Sequence, residues 1–190
     1  IVRRLVGSEM CIRDSIIGVG DLVDRSKEDG LNPQELLAKA CEHAIQDSGI
    51  KKLNEHIDYV GVVRFTVDFL TATNQSNFQY SNFPRTLANK LNISAKNEVY
   101  APMGGNSPQV LLEDALVKIS TGETDCALLS GGEALQTMIA KLKAGMSLDW
   151  LDEPGGSPEM IGNNDIGFSD HEKIHGCLLY TSDAADDVIS

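Results

Sequence analysis

Cysteine is scarce in this chain, with four among 190 residues. Cys11, Cys41, Cys126 and Cys177 show neither a disulfide framework nor the close spacing of a metal site. That usage fits a reducing compartment, and the cytoplasm is the expected location. Positive charge is short as well: 16 Lys and Arg stand against 28 Asp and Glu, for a formal net charge of −12. Such a chain repels polyphosphates and anionic lipid surfaces at long range, which excludes nucleic acid and membrane binding as first readings. No apolar run approaches the roughly 20 residues that span a bilayer. Internal repeats and low-complexity tracts are missing too.

Periodicity, caps and turn chemistry are lacking at both ends. Met10-Cys11-Ile12-Arg13-Asp14 can be encoded as ATG TGT ATA AGA GAC, and Cys177-Leu178-Leu179-Tyr180-Thr181-Ser182 as TGT CTC TTA TAC ACA TCT. The second is the reverse complement of the same DNA, so one double-stranded tag read in opposite directions yields both peptides. The tag resembles a transposase mosaic end from sequencing-library preparation, and Leu5 to Glu9 and Asp183 to Asp187 resemble its two adapter arms. Residues 1–15 and 177–190 are therefore expected to be adapter-derived, bracketing a native stretch at 16–176 that is itself truncated. The true N-terminus, and any targeting signal with it, would then lie upstream. The flanks carry net charges of +1 and −3, which leaves −10 for residues 16–176. Only Cys41 and Cys126 remain in that stretch, and its length suits one domain with a real core.

The interior alternates strand and helix signals. Ile16-Ile17-Gly18-Val19-Gly20 is β-branched and apolar, and predicts a buried strand. Asn32-Pro33-Gln34-Glu35 is a helix start with a capping-box pair, followed by Leu36, Leu37, Ala40, Ala44 and Ile45 at helical spacing and by Gly49 as a stop. Asp58 to Phe65 predicts a strand, Pro84 to Leu91 a short helix and Glu98 to Ala101 a third strand. Ser107 is expected to cap a helix with Pro108 in its first turn and Leu111, Leu112, Ala115, Leu116 and Ile119 as its stripe, ending at Gly122. Cys126 to Ser130 is the last strand, closed by Gly131-Gly132. Strands this apolar, separated by helices, predict an α/β fold with a mostly parallel sheet. Residues 134–170 contain a helical piece at Leu135 to Lys143 and otherwise predict a loop excursion away from the sheet.

Several motifs invite chemistry. Gly18-x-Gly20 lacks the third glycine of a dinucleotide fingerprint, since Val23 stands there, and reads as a tight strand exit. His171-Glu172-Lys173-Ile174-His175 has the H-E-x-x-H spacing of a zinc metalloprotease, but no third ligand can be identified and the tag begins just after it; a surface helix is the plainer reading, and no metal site is assigned. Cys126 sits in a buried strand beside Asp125 and Cys41 in an amphipathic helix, both poor settings for a thiolate. Gly104-Gly105-Asn106-Ser107-Pro108 is the most informative stretch: glycines at a strand-to-helix turn let a ligand approach the backbone, and the helix start offers free N–H groups and a positive dipole end. It can hold an oxyanion, a carboxylate or a thioester carbonyl, or serve only as a turn.

The opening IIGVGD, the run APMGGNSPQVLLEDALVKISTGETDCALLSGGEAL from Ala101 to Leu135 and the closing GFSDHEKIHG from Gly167 together resemble the thiolase superfamily, and more closely its thiolase-like acetyl-CoA acetyltransferase relatives. Ile119, Gly122, Asp125, Gly131, Gly132 and Glu133 match that family's pattern of helix end, acidic residue, strand and glycine pair. The resemblance implies the N-terminal half of a two-lobed thiolase fold, a coenzyme A thioester as substrate without a bound cofactor, Gly104, Gly131, Gly132 and Glu133 as substrate-binding residues, and a homo-oligomeric parent. It also implies a nucleophilic cysteine at the head of the third helix, and that position falls on Gly105. Gly105, Asn106 and Ser107 therefore mark the catalytic turn without its usual nucleophile. Two functions stay open: an acyl-CoA acyltransferase working without a covalent acyl-cysteine, of which this piece is itself inactive, and a non-catalytic thiolase-fold protein binding an acyl-CoA or a partner; a metalloprotease fragment built on His171 to His175 is a minor third.

Overall fold

The computed structural model describes residues 15–66, 80–148, 150 and 152–162. The H-E-x-x-H motif at 171–175, the closing GFSDHEKIHG and almost all of the two tag-like ends lie outside the described residues.

Helix α1 spans Pro33–Asp47, and its start is the expected reciprocal cap: Asn32 Oδ1 accepts from Glu35 N at 2.8 Å while Glu35 Oε2 accepts from Asn32 N at 3.3 Å. Two of the four orphan donors of the helix start are thereby satisfied. Strand β1 (Tyr59–Val63) follows, then helix α2 (Phe83–Lys90), strand β2 (Asn97–Ala101), helix α3 (Ser107–Thr121), strand β3 (Ala127–Ser130), helix α4 (Leu135–Lys143) and a two-residue strand β4 (Glu159–Met160). Gly122 ends α3 in the left-handed conformation with φ 77°, the geometry that favours glycine past a helix end.

The sheet runs β3-β1-β2-β4, and each pairing is parallel. Period-two alternation sorts β1 onto two cores. Val60 and Val62 face a core with Leu37 and Cys41 of α1, Leu87 of α2, Tyr100 and Leu128. Tyr59 joins Val99, Ala101, Leu111 and Ala115 on the α3 side. Gly61 admits α3 to the sheet, since a Cβ there would stand 2.7 Å from Leu111 Cδ1. At the opposite end of the strands the buried Asp58 carboxylate accepts from Asp125 N at 3.1 Å, Cys126 N at 3.2 Å and Lys96 Nζ at 3.1 Å, tying the starts of three strands together. Beneath α3, burial works against the Lys118 ammonium, but its bonds to Glu159 (2.6 Å) and Asp114 (3.3 Å) raise its pKa on balance. Tyr59 donates to Asp114 at 2.8 Å. Burial, then this carboxylate, raises the phenol above its ordinary value.

Two expectations need correction. Within the stretch 134–170, expected to leave the sheet, the described Glu159 and Met160 pair with it: β4 meets β2 at Val99 and Tyr100, and Gln34 Nε2 donates to the carbonyl of the buried Trp150 at 3.0 Å. The strand expected at Ile16–Gly20 does not form. That segment has no strand partner among the described residues, with Ile16 81% and Val19 66% exposed. It lies instead against α1: a Cβ on Gly18 would stand 2.2 Å from the Ala44 carbonyl oxygen, and one on Gly20 2.3 Å from that of Ala40. Val19 N donates to Asp47 Oδ2 at 2.9 Å. The G-x-G pair is thus neither a phosphate loop nor a strand exit; it lets a chain rest directly on a helix backbone at two alanines one turn apart.

Candidate functional site

Parallel strands deliver their carboxyl ends to one side of the sheet, where ligands of open α/β folds gather. Here that side holds a cavity of about 610 Å³. Val63 and Arg64 reach it from the end of β1, Met103, Gly104 and Gly105 from the turn after β2, Pro108 and Leu111 from the first turns of α3, and Leu129 to Glu133 from the end of β3. Gly104, Gly105, Gly131, Gly132 and Glu133 are all brought together there. Asn106 and Ser107 are not among the lining residues. Sequence patterns did not single out Val63, Arg64, Met103, Leu129 or Ser130; each stands within two residues of a strand's carboxyl end, which was the available signal.

Ser107 does not cap α3. It is the first residue of the helix and buried, while Asn106 occupies the cap position without a side-chain cap bond. The turn is closed by its backbone instead, with Ser107 N donating to Gly104 O at 3.1 Å and Gln109 N to Asn106 O at 3.0 Å. Among the described residues the amides of Gly105 and Asn106 donate to no backbone carbonyl. These two amides, without a backbone acceptor among the described residues, stand at the positive end of a 15-residue helix whose first turns line the cavity.

The glycines differ in what they exclude. A Cβ on Gly104 would stand 3.1 Å from Ser107 Oγ, and one on Gly132 3.0 Å from Leu37 Cδ1. Gly105 has nothing within 4 Å of such an atom. The backbone at Gly105, where the resemblance would put a nucleophilic cysteine, could therefore carry a Cβ. Glu133 Oε1 accepts from both Thr66 N and Thr66 Oγ1 at 2.7 Å, which fixes the exit of β1 against the end of β3. The Arg64 guanidinium is stacked 4.9 Å from the centroid of the Tyr100 ring.

Neither described cysteine lines this cavity. Burial pushes the Cys41 thiol up to about 11, partly offset by the nearby Ser130 hydroxyl. Cys126 is raised by burial first and then by Asp58 and Asp125. Both are protonated, unreactive thiols at neutral pH, as their sequence settings suggested. No cluster of metal-ligating side chains occurs among the described residues, and no helix among them is long and apolar enough to cross a membrane.

No protein-family model matches the chain, and neither does any curated protein. Among solved structures the chain is similar to a monomeric SCP2-thiolase like protein type 1 from Mycobacterium smegmatis, with 30% identity over 64% of this chain and a TM-score of 0.51. The chain spans 24% of that protein's length. A parallel sheet flanked by helices, in the thiolase-like manner, is the fold that sequence and comparison share.

Proposed function

We propose that this chain is part of a thiolase-fold protein that holds an acyl-CoA thioester in the cavity at the carboxyl ends of β1, β2 and β3. The observation that carries the reading is the convergence of Gly104, Gly105, Gly131, Gly132 and Glu133 on that one cavity. A thioester carbonyl oxygen would accept from the Gly105 and Asn106 amides, with the positive end of α3 favouring any charge that develops on it. Each such donor is worth about 10²–10³ in rate where acyl chemistry follows. Glu133 holds the β1 exit through Thr66 and so keeps the cavity open.

Acyl transfer needs a nucleophile and a base. The lining offers no thiol or imidazole; its carboxylate, Glu133, is held by Thr66, and its hydroxyl, Ser130, has no imidazole beside it on the lining, so we read the nucleophile and base as coming from the acyl acceptor and from parts of the parent outside the described residues. The parent is accordingly read as an acyltransferase akin to acetyl-CoA acetyltransferases that forms no acyl-cysteine, and the chain by itself as a binder with little or no turnover. That same lining equally favours a second reading, a parent that only binds acyl-CoA.

Calorimetric titration with acetyl-CoA tests the shared step, with Gly105→Val as the control. A Cβ there has nothing within 4 Å, so the fold should tolerate the branch point while the added methyls narrow the cavity at the turn. Binding that weakens at least tenfold in the variant supports the site. Binding unaffected by the valine places the thioester elsewhere and refutes it. Coenzyme A release on adding an acyl acceptor to an uninterrupted parent chain then separates the enzyme from the binder.

A further inference from the structure

Residues 152–162 form a strap beside the edge of β2 that β1 leaves free, and it is fastened at two places. Near its start the Gly155 carbonyl oxygen accepts from Asn82 Nδ2 at 3.3 Å and from Arg85 Nη1 at 3.2 Å, and Glu98 of β2 binds the same two side chains at 2.9 and 2.7 Å. Further on, Glu159 Oε2 accepts from Lys118 Nζ at 2.6 Å. The Lys118 side chain is only 11% exposed, so its ammonium needs protein partners in place of water. Asp114 stands 3.3 Å from it and the Tyr59 ring centroid 5.4 Å, and Asp114 itself accepts from the Tyr59 hydroxyl at 2.8 Å. One lysine thereby joins β1, α3 and β4.

Past Glu159 the strap arrives at the thioester cavity. Ile161 N donates to Tyr100 O at 3.4 Å, and Gly162 then lies against Pro102, where a Cβ would stand 3.1 Å from both Cγ and Cδ of the ring. Pro102 is the residue between β2 and the Met103–Gly105 turn. On the other side of β2, Arg64 N donates to Ala101 O at 3.0 Å. The carboxyl end of β2 is thus seated between β1 and the strap, and the turn takes its position from both. We infer that Lys118 and Glu159 are positioning residues of the thioester site: by locking β4 to α3 they press the strap on Pro102 and hold the Gly105 and Asn106 amides where a carbonyl oxygen can meet them. Neither side chain lines the cavity, so both act through the strap. The assignment rests on the reading of the Gly105 turn as a thioester site, and separate signals test the two.

The first signal is amide hydrogen exchange without ligand, read by NMR at Ser107, whose bond to Gly104 O closes the turn, and at Ile161 on the strap. Cys41, in the middle of α1 on the opposite face of the sheet, reports overall stability. Glu159→Gln neutralises a side chain that is 52% exposed, so the chain keeps its fold. Exchange at Ser107 and Ile161 is expected to rise about threefold to tenfold while Cys41 is unchanged. Glu113→Gln, the same charge change on an exposed residue of α3, should alter none of the three. The second signal is calorimetric titration with acetyl-CoA, which should bind about threefold or more weakly to Glu159→Gln than to the unmodified chain. An unmodified rate at Ser107, an equal rise at Cys41, or the same effect from Glu113→Gln overturns the positioning role. So does faster exchange at Ser107 with acetyl-CoA affinity unchanged. If exchange rises as expected but acetyl-CoA binds neither chain, the strap does hold the turn and the thioester reading alone falls.

Discussion

Replacing Asp58 by alanine should cost more than any change to its ion-pair partner. The carboxylate is 7% exposed and its Oδ1 accepts from the amides of Asp125 and Cys126 at 3.1 and 3.2 Å, where the chain enters β3. Hydrogen bonds to a charged acceptor contribute about 1.5–3 kcal/mol each, and leaving a buried N–H unmade costs about 1–3 kcal/mol. The two losses overlap, because part of the cost is water entering the gap, so a total of about 2–4 kcal/mol is expected for Asp58→Ala. Lys96 is different. Its side chain is 69% exposed, so its 3.1 Å ion pair with Asp58 is screened and Lys96→Met should lose less than about 0.5 kcal/mol. Asp58→Asn keeps an oxygen at the Oδ1 position and should fall between, at about 1–2 kcal/mol. Urea denaturation with an unchanged slope reads all three. A loss under about 0.5 kcal/mol in Asp58→Ala, or equal losses in Asp58→Ala and Lys96→Met, would refute the claim that backbone capping joins these strands.

Three further outcomes follow from the same geometry. Gly105→Cys should fold within about 0.5 kcal/mol of the parent, because its Cβ meets nothing within 4 Å; the new thiol at a helix head should alkylate with iodoacetamide at neutral pH while Cys41 stays unmodified, and equal rates would remove the argument. Stability should fall with rising pH above about 9: Cys41 holds its proton in the folded state to about 11, against 9.0 as its ordinary value, so the folded chain binds more protons across that window, and the raised Tyr59 and Lys118 act in the same direction. A melting temperature flat from pH 8 to pH 11 would contradict this. Gly18→Val should lift the 16–20 segment off α1 and speed hydrogen exchange at the Val19 amide, whose bond to Asp47 is lost; exchange at the parent rate would show that the close approach to Ala44 is not what seats it.

Much of the architecture was legible because each element carried its own punctuation. Asn32, Pro33 and Glu35 specify the start of α1, and Gly122 specifies the end of α3. The glycines at 104, 105, 131 and 132 marked strand exits, and parallel topology then gathers all strand exits on one side. Three points were not legible. A β-branched run such as Ile16 to Gly20 looks the same whether or not it finds a neighbour, and here the sheet places Ala127–Ser130 directly beside Tyr59–Val63. Ser107 looked like a cap because it precedes Pro108, but the backbone turn closed by Gly104 O draws it into the helix. The return of Glu159–Met160 to the sheet depends on Gln34 holding Trp150 and on Lys118 holding Glu159, pairings over 100 and 40 residues apart that no local pattern encodes.

The central claim is that an acyl thioester rests at the Gly105 turn without a bond to the protein. Isotope-labelled acetyl-CoA mixed with the chain and followed by mass spectrometry, first under native conditions and then after acid denaturation, tests it most directly. The account predicts that the label travels with the folded chain and is released completely on unfolding. Label that persists on a residue after denaturation, or a native spectrum with no bound thioester at saturating ligand, would contradict it.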